Sequence, residues 1–287
     1  MAREEQPLVS MRAITKQFLN VAANKNISFD LFPGEICALL GENGAGKTTL
    51  MNILFGYYAC DAGEITIKGE RVDLSSPKDA ISRGVGMIHQ HFTLVPSQTV
   101  LENIIVGTKT GKGLFLDLKS GRKRLLALQE RFGLRVDPEA KVWTLSVGEQ
   151  QKVEILKALY RDVDILIMDE PTAVLALSET VELFQTLKSL VQEGRSVVFI
   201  SHKLHEVMAI SDRIVVLRGG EVVAERRTSE TDKRELANLM VGRDVLERIE
   251  KKSLSPGRPV LEIQDLKALN DKKLLALKHL TLSKTSL

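Results

Sequence analysis

The sequence predicts an α/β fold: a parallel sheet that gathers its functional loops along one edge, an antiparallel β subdomain near the N-terminus and an inserted helical subdomain. Three observations predict it. The stretch Gly41-Glu42-Asn43-Gly44-Ala45-Gly46-Lys47-Thr48-Thr49 has the spacing G-x-x-x-x-G-K-[ST] and lies between an apolar run of strand length, residues 35–40, and a helical-looking run, residues 50–55. That is the strand–loop–helix setting a P-loop requires. Short apolar runs at residues 84–88, 165–168 and 196–200 end in polar residues, the pattern of buried parallel strands. From residue 97 to 161 the periodicity is mostly helical, with apolar faces at residues 125–128 and 153–159.

In a P-loop the residue types follow from the phosphates. Gly41, Gly44 and Gly46 leave the backbone free to curl, so that successive N–H groups point at the β-phosphate of a nucleotide. The helix that follows adds its positive dipole end. Lys47 then bridges the β- and γ-phosphates, and the Thr48 hydroxyl is placed to ligate Mg²⁺.

The chain as a whole narrows the choices. Its 287 residues, 44% of them hydrophobic, suffice for one large or two small domains. A net charge of +3 leaves no footprint of a nucleic-acid-coating protein. No apolar run reaches the roughly 18 residues of a membrane-spanning helix, and residues 1–5 do not open a signal peptide, so a cytosolic location is expected. Cys37, in an apolar strand, and Cys60, near a turn, have no C-x-x-C spacing and read as idle thiols.

In chain order, residues 8–14 and 27–31 read as strands joined by residues 15–26, where Phe18 is the one aromatic. Residues 61–64 read as a turn into a strand at 65–68. The strand at 84–88 delivers His89-Gln90-His91; without a third or fourth ligand nearby, the two histidines do not read as a metal site. Leu145-Ser146-Val147-Gly148-Glu149-Gln150-Gln151 opens a helix with a capping box, Ser146 with Glu149. Capping does not account for Gly148, which costs up to about 1 kcal/mol in a first turn; a close phosphate would. Asp169 and Glu170 end the strand at 165–168, where Asp169 would hold Mg²⁺ and Glu170 would polarise an attacking water. A helix over 178–193, closed by Gly194, leads to a strand at 196–200 that ends in Ser201-His202. Parallel-sheet logic sets His202 on the same edge as Gly41, Gln90 and Asp169. A hairpin, 213–217 with 221–225, and a helix over 233–241 complete the pattern.

With these pieces in this order, residues 8 to about 245 closely resemble the ATP-binding cassette (ABC) ATPases. The stretch from Leu145 to Gln151 matches the family's signature motif, which other P-loop folds lack. The resemblance implies that residues 41–48 are Walker A, Gln90 the Q-loop glutamine that also approaches the metal, Asp169 Walker B, Glu170 the catalytic glutamate and His202 the switch histidine. Phe18 falls where an adenine-stacking aromatic belongs. Ser146, Gly148 and Glu149 would reach the ATP held by a second cassette. The wording of His89-Gln90-His91-Phe92, of Glu170-Pro171-Thr172-Ala173-Val174-Leu175 and of Leu239-Met240-Val241-Gly242-Arg243 is similar to the first cassette of tandem ATPases serving simple-sugar and nucleoside importers.

The resemblance further implies membrane permease subunits and an extracytoplasmic substrate-binding protein as partners, no nucleic acid, and a peripheral position on the cytoplasmic face of the inner membrane. Two positions depart from the family: Val147 stands where the signature usually has glycine, and Ala173-Val174-Leu175-Ala176 lacks the usual D-loop aspartate. A soluble ABC protein acting on ribosomes or DNA, and an ATP-binding remnant without turnover, are the competing readings.

The expected domains are a cassette over 1–250, with its helical subdomain at about 97–161, a linker over 251–258, and the truncated start of a second cassette over 259–287. The last follows from an internal repeat: residues 259–266 repeat the pattern of 7–14, and 275–282 echo 22–29. Strands there would lack a sheet to join, so disorder or makeshift packing is expected.

Overall fold

The structure, a computed structural model, describes residues 6–108, 117–242, 259–269, 275–277 and 279–285. The N-terminal five residues, Arg243 and the expected linker at 251–258 lie outside the described residues. The chain divides into two compact units, residues 1–245 and 246–287.

In the first unit, β1 (Val9–Phe18) and β2 (Val21–Leu31) form a hairpin, β3 (Ile36–Leu40) enters the glycine-rich loop and α1 (Lys47–Leu54) leaves it. Then come β4 (Ala62–Ile67), β5 (Glu70–Val72), α2 (Pro77–Ser82) and β6 (Val85–Ile88), followed by α3 (Val100–Ile105), α4 (Leu118–Phe132) and α5 (Val147–Tyr160). The remainder is β7 (Ile165–Asp169), α6 (Leu177–Gln192), β8 (Ser196–Ser201), α7 (Leu204–Ile210), β9 (Arg213–Arg218), β10 (Glu221–Arg227) and α8 (Lys233–Val241). A four-stranded antiparallel sheet has the order β2-β1-β4-β5, and a six-stranded sheet the order β10-β9-β3-β8-β7-β6. In the second sheet every neighbouring pair is parallel except β9–β10.

The inner strands of the large sheet are largely apolar because both faces are covered, whereas the edge strand β10 has no buried residue. All five residues of β3 are buried. Cys37 and Leu39 point to the face occupied by Leu50, Met51 and Leu54 of α1, while Ala38 and Leu40 meet Leu236 and Met240 of α8. Beneath the helical subdomain, Leu166, Met168, Val197 and Phe199 pack with Ile155 and Leu159 of α5 and Leu183 and Leu187 of α6. Since β3, β6, β7 and β8 run parallel, their C-terminal ends share one edge, the edge from which open α/β sheets present ligand-binding loops.

The N-terminal hairpin is longer than the sequence suggests. Residues 15–26 do not link two short strands; they extend both, leaving only Leu19 and Asn20 at the turn. Register shifts interrupt the ladder, and Ala13 and Asn26 take positive φ values of 53° and 52°. Bulges of this kind break the period-two alternation by which strands are recognised. Likewise the expected turn at 61–64 is mostly strand, because β4 begins at Ala62.

Helix α6 starts one residue before its expected position, on an N-cap that has no side-chain oxygen, Ala176. The Ala176 N–H donates to the Glu179 carboxylate at 2.9 Å, so one half of a capping box is present. Restoring the other half with Ala176→Asp is expected to stabilise the protein by about 0.5–2 kcal/mol, because the carboxylate accepts from the helix's free N–H groups and complements its dipole. The shift in urea midpoint at constant slope measures it.

In the second unit, the described residues form β11 (Pro259–Ile263) paired with β14 (Leu282–Thr285) and β12 (Ala268–Leu269) paired with β13 (Leu275–Leu277). Of the expected disorder or makeshift packing, the described residues show the second: these strands pair with one another in two-stranded sheets of their own. The pairing reproduces that of β1 and β2. Val9↔Leu31, Ser10↔Asp30 and Met11↔Phe29 have counterparts in Leu261↔Lys284, Glu262↔Ser283 and Ile263↔Leu282. Lys16↔Asn24 and Gln17↔Ala22 correspond to Ala268↔Leu277 and Leu269↔Leu275. Even the bulge recurs: Ala13 (φ 53°) donates its N–H to Ser28 Oγ, and Asp265 (φ 50°) donates to Thr281 Oγ1, both at 3.4 Å. The apolar side chains fare differently. Val9, Ile14 and Phe29 are buried, whereas Leu261, Leu266 and Leu282 are exposed.

Candidate functional site

The loop at Gly41 to Gly46 is held in its curled form by close backbone contacts that only glycine permits. A Cβ on Gly41 would meet Leu217 O at 2.3 Å, and one on Gly46, whose φ is 101°, would meet Ala23 O at 2.3 Å. Lys47, the first residue of α1, is buried and folds back over the loop, its Nζ donating to Gly41 O at 2.7 Å and Glu42 O at 3.0 Å. Burial lowers its pKa, opposed by the nearby Glu170 and Asp169 carboxylates.

At the end of β7, Asp169 accepts from Thr48 Oγ1 at 3.2 Å. Burial raises its pKa, the Thr48 hydrogen bond works against that rise, and the neighbouring Glu170 charge adds to it. Glu170 follows with a φ of 48°, a left-handed conformation that costs a non-glycine residue roughly 1–2 kcal/mol. Its Oε1 lies 2.8 Å from His202 Nδ1, while its Oε2 is buried with no hydrogen-bond partner. An orphaned buried carboxylate oxygen is an acceptor waiting for a donor.

A cleft of about 320 Å³ is lined by Asn43 to Thr49, Gln90, Asp169, Glu170, His202 and Val21 to Ala23. Thus the structure brings together most of the residues singled out from the sequence, drawn from four strand ends. The donor set fits a Mg-nucleotide: loop N–H groups and a Lys47 ammonium for phosphate, Thr48 and Asp169 oxygens for a hard cation, and the free Glu170 oxygen for a water.

Others lie elsewhere. Phe18 stands at the hairpin turn, 39% exposed, with its ring edge-on to Tyr58 at 5.2 Å and Lys16 Nζ 5.4 Å above it. Ser146, Gly148 and Glu149 sit at the N-terminus of α5, where the capping box is complete: Ser146 N donates to Glu149 Oε2 at 2.8 Å, and Glu149 N to Ser146 Oγ at 3.3 Å. A Cβ on Gly148 would meet Glu179 Oε1 at 2.3 Å, but that is the end of a flexible side chain that can swing aside, so Glu179 does not by itself require glycine here. His89 packs against the rings of Phe55 and Tyr57, and among the described residues no group of three or more His, Cys, Asp or Glu could hold a metal ion by itself.

Sequence reasoning passed over Asn24, which is fully buried under the loop and donates from Nδ2 to Gly46 O at 3.1 Å. It falls in a stretch read as a connector, so no periodicity marked it. No helix among the described residues is long and apolar enough to cross a membrane.

The cassette model described as "ABC transporter" matches residues 24–173, just over half of the chain. The nucleoside import ATP-binding protein NupA of Lactococcus lactis subsp. cremoris is 48% identical over 96% of this chain and 55% of its own length. The guanosine import ATP-binding protein NupO of Bacillus subtilis (47%, 96% and 54%) and the glucose import ATP-binding protein TsgD13 of Haloferax volcanii (45%, 99% and 56%) are similar. This chain spans about half the length of these relatives. Among solved structures, an ATP-binding cassette of an ABC transporter in its ADP conformation has 24% identity and a TM-score of 0.72 over 82% of this chain and 95% of that one. A dimeric cassette bound to ADP and Pi has 28% identity and a TM-score of 0.66 over 77% and 98%. With the matched cassette model and a fold shared with these solved cassettes, the chain belongs to the ABC transporter family.

Proposed function

We propose that this chain hydrolyses ATP to power an importer for nucleosides or simple sugars, acting with a separate membrane permease. The observation that carries the chemistry is Glu170: a buried carboxylate, anchored through one oxygen to His202, with its other oxygen unpartnered at a cleft floored by the P-loop. A water bound there donates a proton to Glu170 Oε2 as its oxygen attacks the γ-phosphorus in line. The bond to the β–γ bridging oxygen breaks, and ADP leaves with the electron pair. Lys47 and His202 stabilise the charge that gathers on the transferring phosphoryl group. Mg²⁺, held by Thr48 and Asp169 with Gln90, would neutralise charge on the phosphates. Before nucleotide enters, Lys47 must release the carbonyls of Gly41 and Glu42, which it now caps.

Ser146, Gly148 and Glu149 lie at a helix N-terminus, a natural partner for phosphate, and in this reading they complete the ATP site of a second cassette. Phe18 remains the proposed adenine-stacking residue. The second unit is read as the start of another cassette, a reading supported by its register-matched copy of the first hairpin and by the length of the relatives. Nucleosides are preferred over other cargo because two of the most similar relatives are named for nucleoside and guanosine import. A substrate-binding protein outside the membrane, and a position on the inner membrane's cytoplasmic face, complete the proposal.

The test is a pull-down of ATP-trapped Glu170→Gln protein from detergent-solubilised host membranes, with co-purifying chains identified by mass spectrometry. A multi-spanning permease is the expected partner. Recovery of ribosomal proteins, or of no partner, would count against an importer.

A further inference from the structure

We infer that Glu206 is a positioning residue for hydrolysis: a buried carboxylate that ties the loop following Glu170 to the loop carrying His202. The inference rests on the reading of Glu170 as the acceptor of the water's proton. Glu206 lies in the first turn of α7, is 4% exposed, and does not line the P-loop cleft, so it acts only through other residues.

One oxygen reaches both segments and the other faces the His202 segment alone. Oε2 accepts from Thr172 Oγ1 at 2.5 Å and from Ser201 Oγ at 3.4 Å. Oε1 lies 3.0 Å from Lys203 Nζ, with His205 Nε2 more distant at 3.9 Å. Lys203 closes the circuit, donating from Nζ to Thr172 O at 3.1 Å and to Thr172 Oγ1 at 3.2 Å, and from its backbone N–H to Ser201 Oγ at 3.0 Å. Thr172 and Ser201 are themselves buried, at 2% and 0% exposure.

The placement of these partners gives the network its meaning. Thr172 follows Glu170 by two residues, across Pro171, and His202 sits between Ser201 and Lys203. Glu206 therefore grips both segments next to the two residues that must meet at 2.8 Å. Glu170 also carries a φ of 48°, and a left-handed non-glycine residue persists only where its surroundings over-determine it. Backbone bonds supply part of that restraint, Glu170 N–H to Ile200 O and Ala173 N–H to Glu170 O, each 3.1 Å. Glu206 supplies the side-chain part. A buried ion pair is a poor source of stability compared with apolar packing. A geometric role explains why charge is kept here.

The test uses the full chain with Glu206→Ala, Glu206→Gln and Thr172→Val. Misplacing a catalytic group by about 1 Å costs on the order of a hundredfold in rate. Glu206→Ala is expected to lower kcat by about tenfold to a hundredfold while KM and the ATP dissociation constant stay within about twofold. Glu206→Gln keeps acceptors for both hydroxyls and is expected to restore part of the rate. Thr172→Val keeps the ion pair and the volume, so it folds even where Glu206→Ala does not, and it should lower kcat in the same sense. Combined with Glu206→Ala it should add little. A lowered Tm with unchanged kcat in both variants would overturn the inference, as would a parallel loss of kcat and ATP affinity. Glu170→Gln is measured alongside. Normal turnover in that variant removes the underlying reading, whereas slow turnover there with normal kcat in Glu206→Ala and Thr172→Val removes only the clamp.

Discussion

Glu170→Gln is expected to bind ATP with nearly unchanged affinity and to release phosphate at least about a hundredfold more slowly, since a positioned general base contributes roughly 10²–10⁴ in rate. The substitution changes little else. Glutamine keeps the volume, and its amide oxygen can still face His202 Nδ1, now 2.8 Å from Glu170 Oε1. What disappears is an oxygen able to take a proton at the buried, unpartnered Oε2 position. The phosphate-binding elements, Lys47 and the loop before it, are untouched. Rapid-quench measurement of phosphate release together with fluorescent-nucleotide titration separates the two effects. Turnover near the wild-type rate would take Glu170 out of the role.

Lys47→Ala is expected to act on binding itself. A hydrogen bond to a charged group contributes about 1.5–3 kcal/mol, so ATP affinity should weaken by roughly ten- to a hundredfold or more. The apo geometry adds a second consequence. Lys47 Nζ now satisfies the carbonyls of Gly41 and Glu42, and its removal leaves both without that donor inside a tight loop. Alanine there should therefore also lower the Tm of the nucleotide-free protein. Unchanged ATP affinity would undermine the P-loop reading, whatever happened to stability.

The residues legible from sequence are those whose chemistry is fixed by backbone geometry or by local spacing. Gly41 and Gly46 could be read from the G-x-x-x-x-G-K-[ST] spacing, and folding adds a second reason for them, the close approach of Leu217 O and Ala23 O. Asp169 and Glu170 could be read because a buried parallel strand announces its own C-terminal end, and β7 is buried at every position. Residues that depend on distant partners were silent. Glu206 meets Thr172 from 34 positions away, and Asn24 meets Gly46 from 22, so neither leaves a mark in any local pattern. Gly148 was visible, whereas its neighbour was not: the Glu179 side chain reaches it from the next helix, a contact made only by folding. The bulges at Ala13 and Asn26 hid half the N-terminal hairpin for a related reason, since they erase the alternation that would have displayed it. In the second unit the opposite held. The sequence repeat was plain, while the pairing of β11 with β14 needed the backbone to be seen.

The claim that two cassettes complete one another's ATP sites is tested most directly by the specific ATPase activity of the purified chain over a wide range of protein concentration. Self-association should make phosphate release per molecule rise steeply with concentration and level off once the paired form dominates. A specific activity independent of concentration, or no phosphate release at any concentration, would contradict the account.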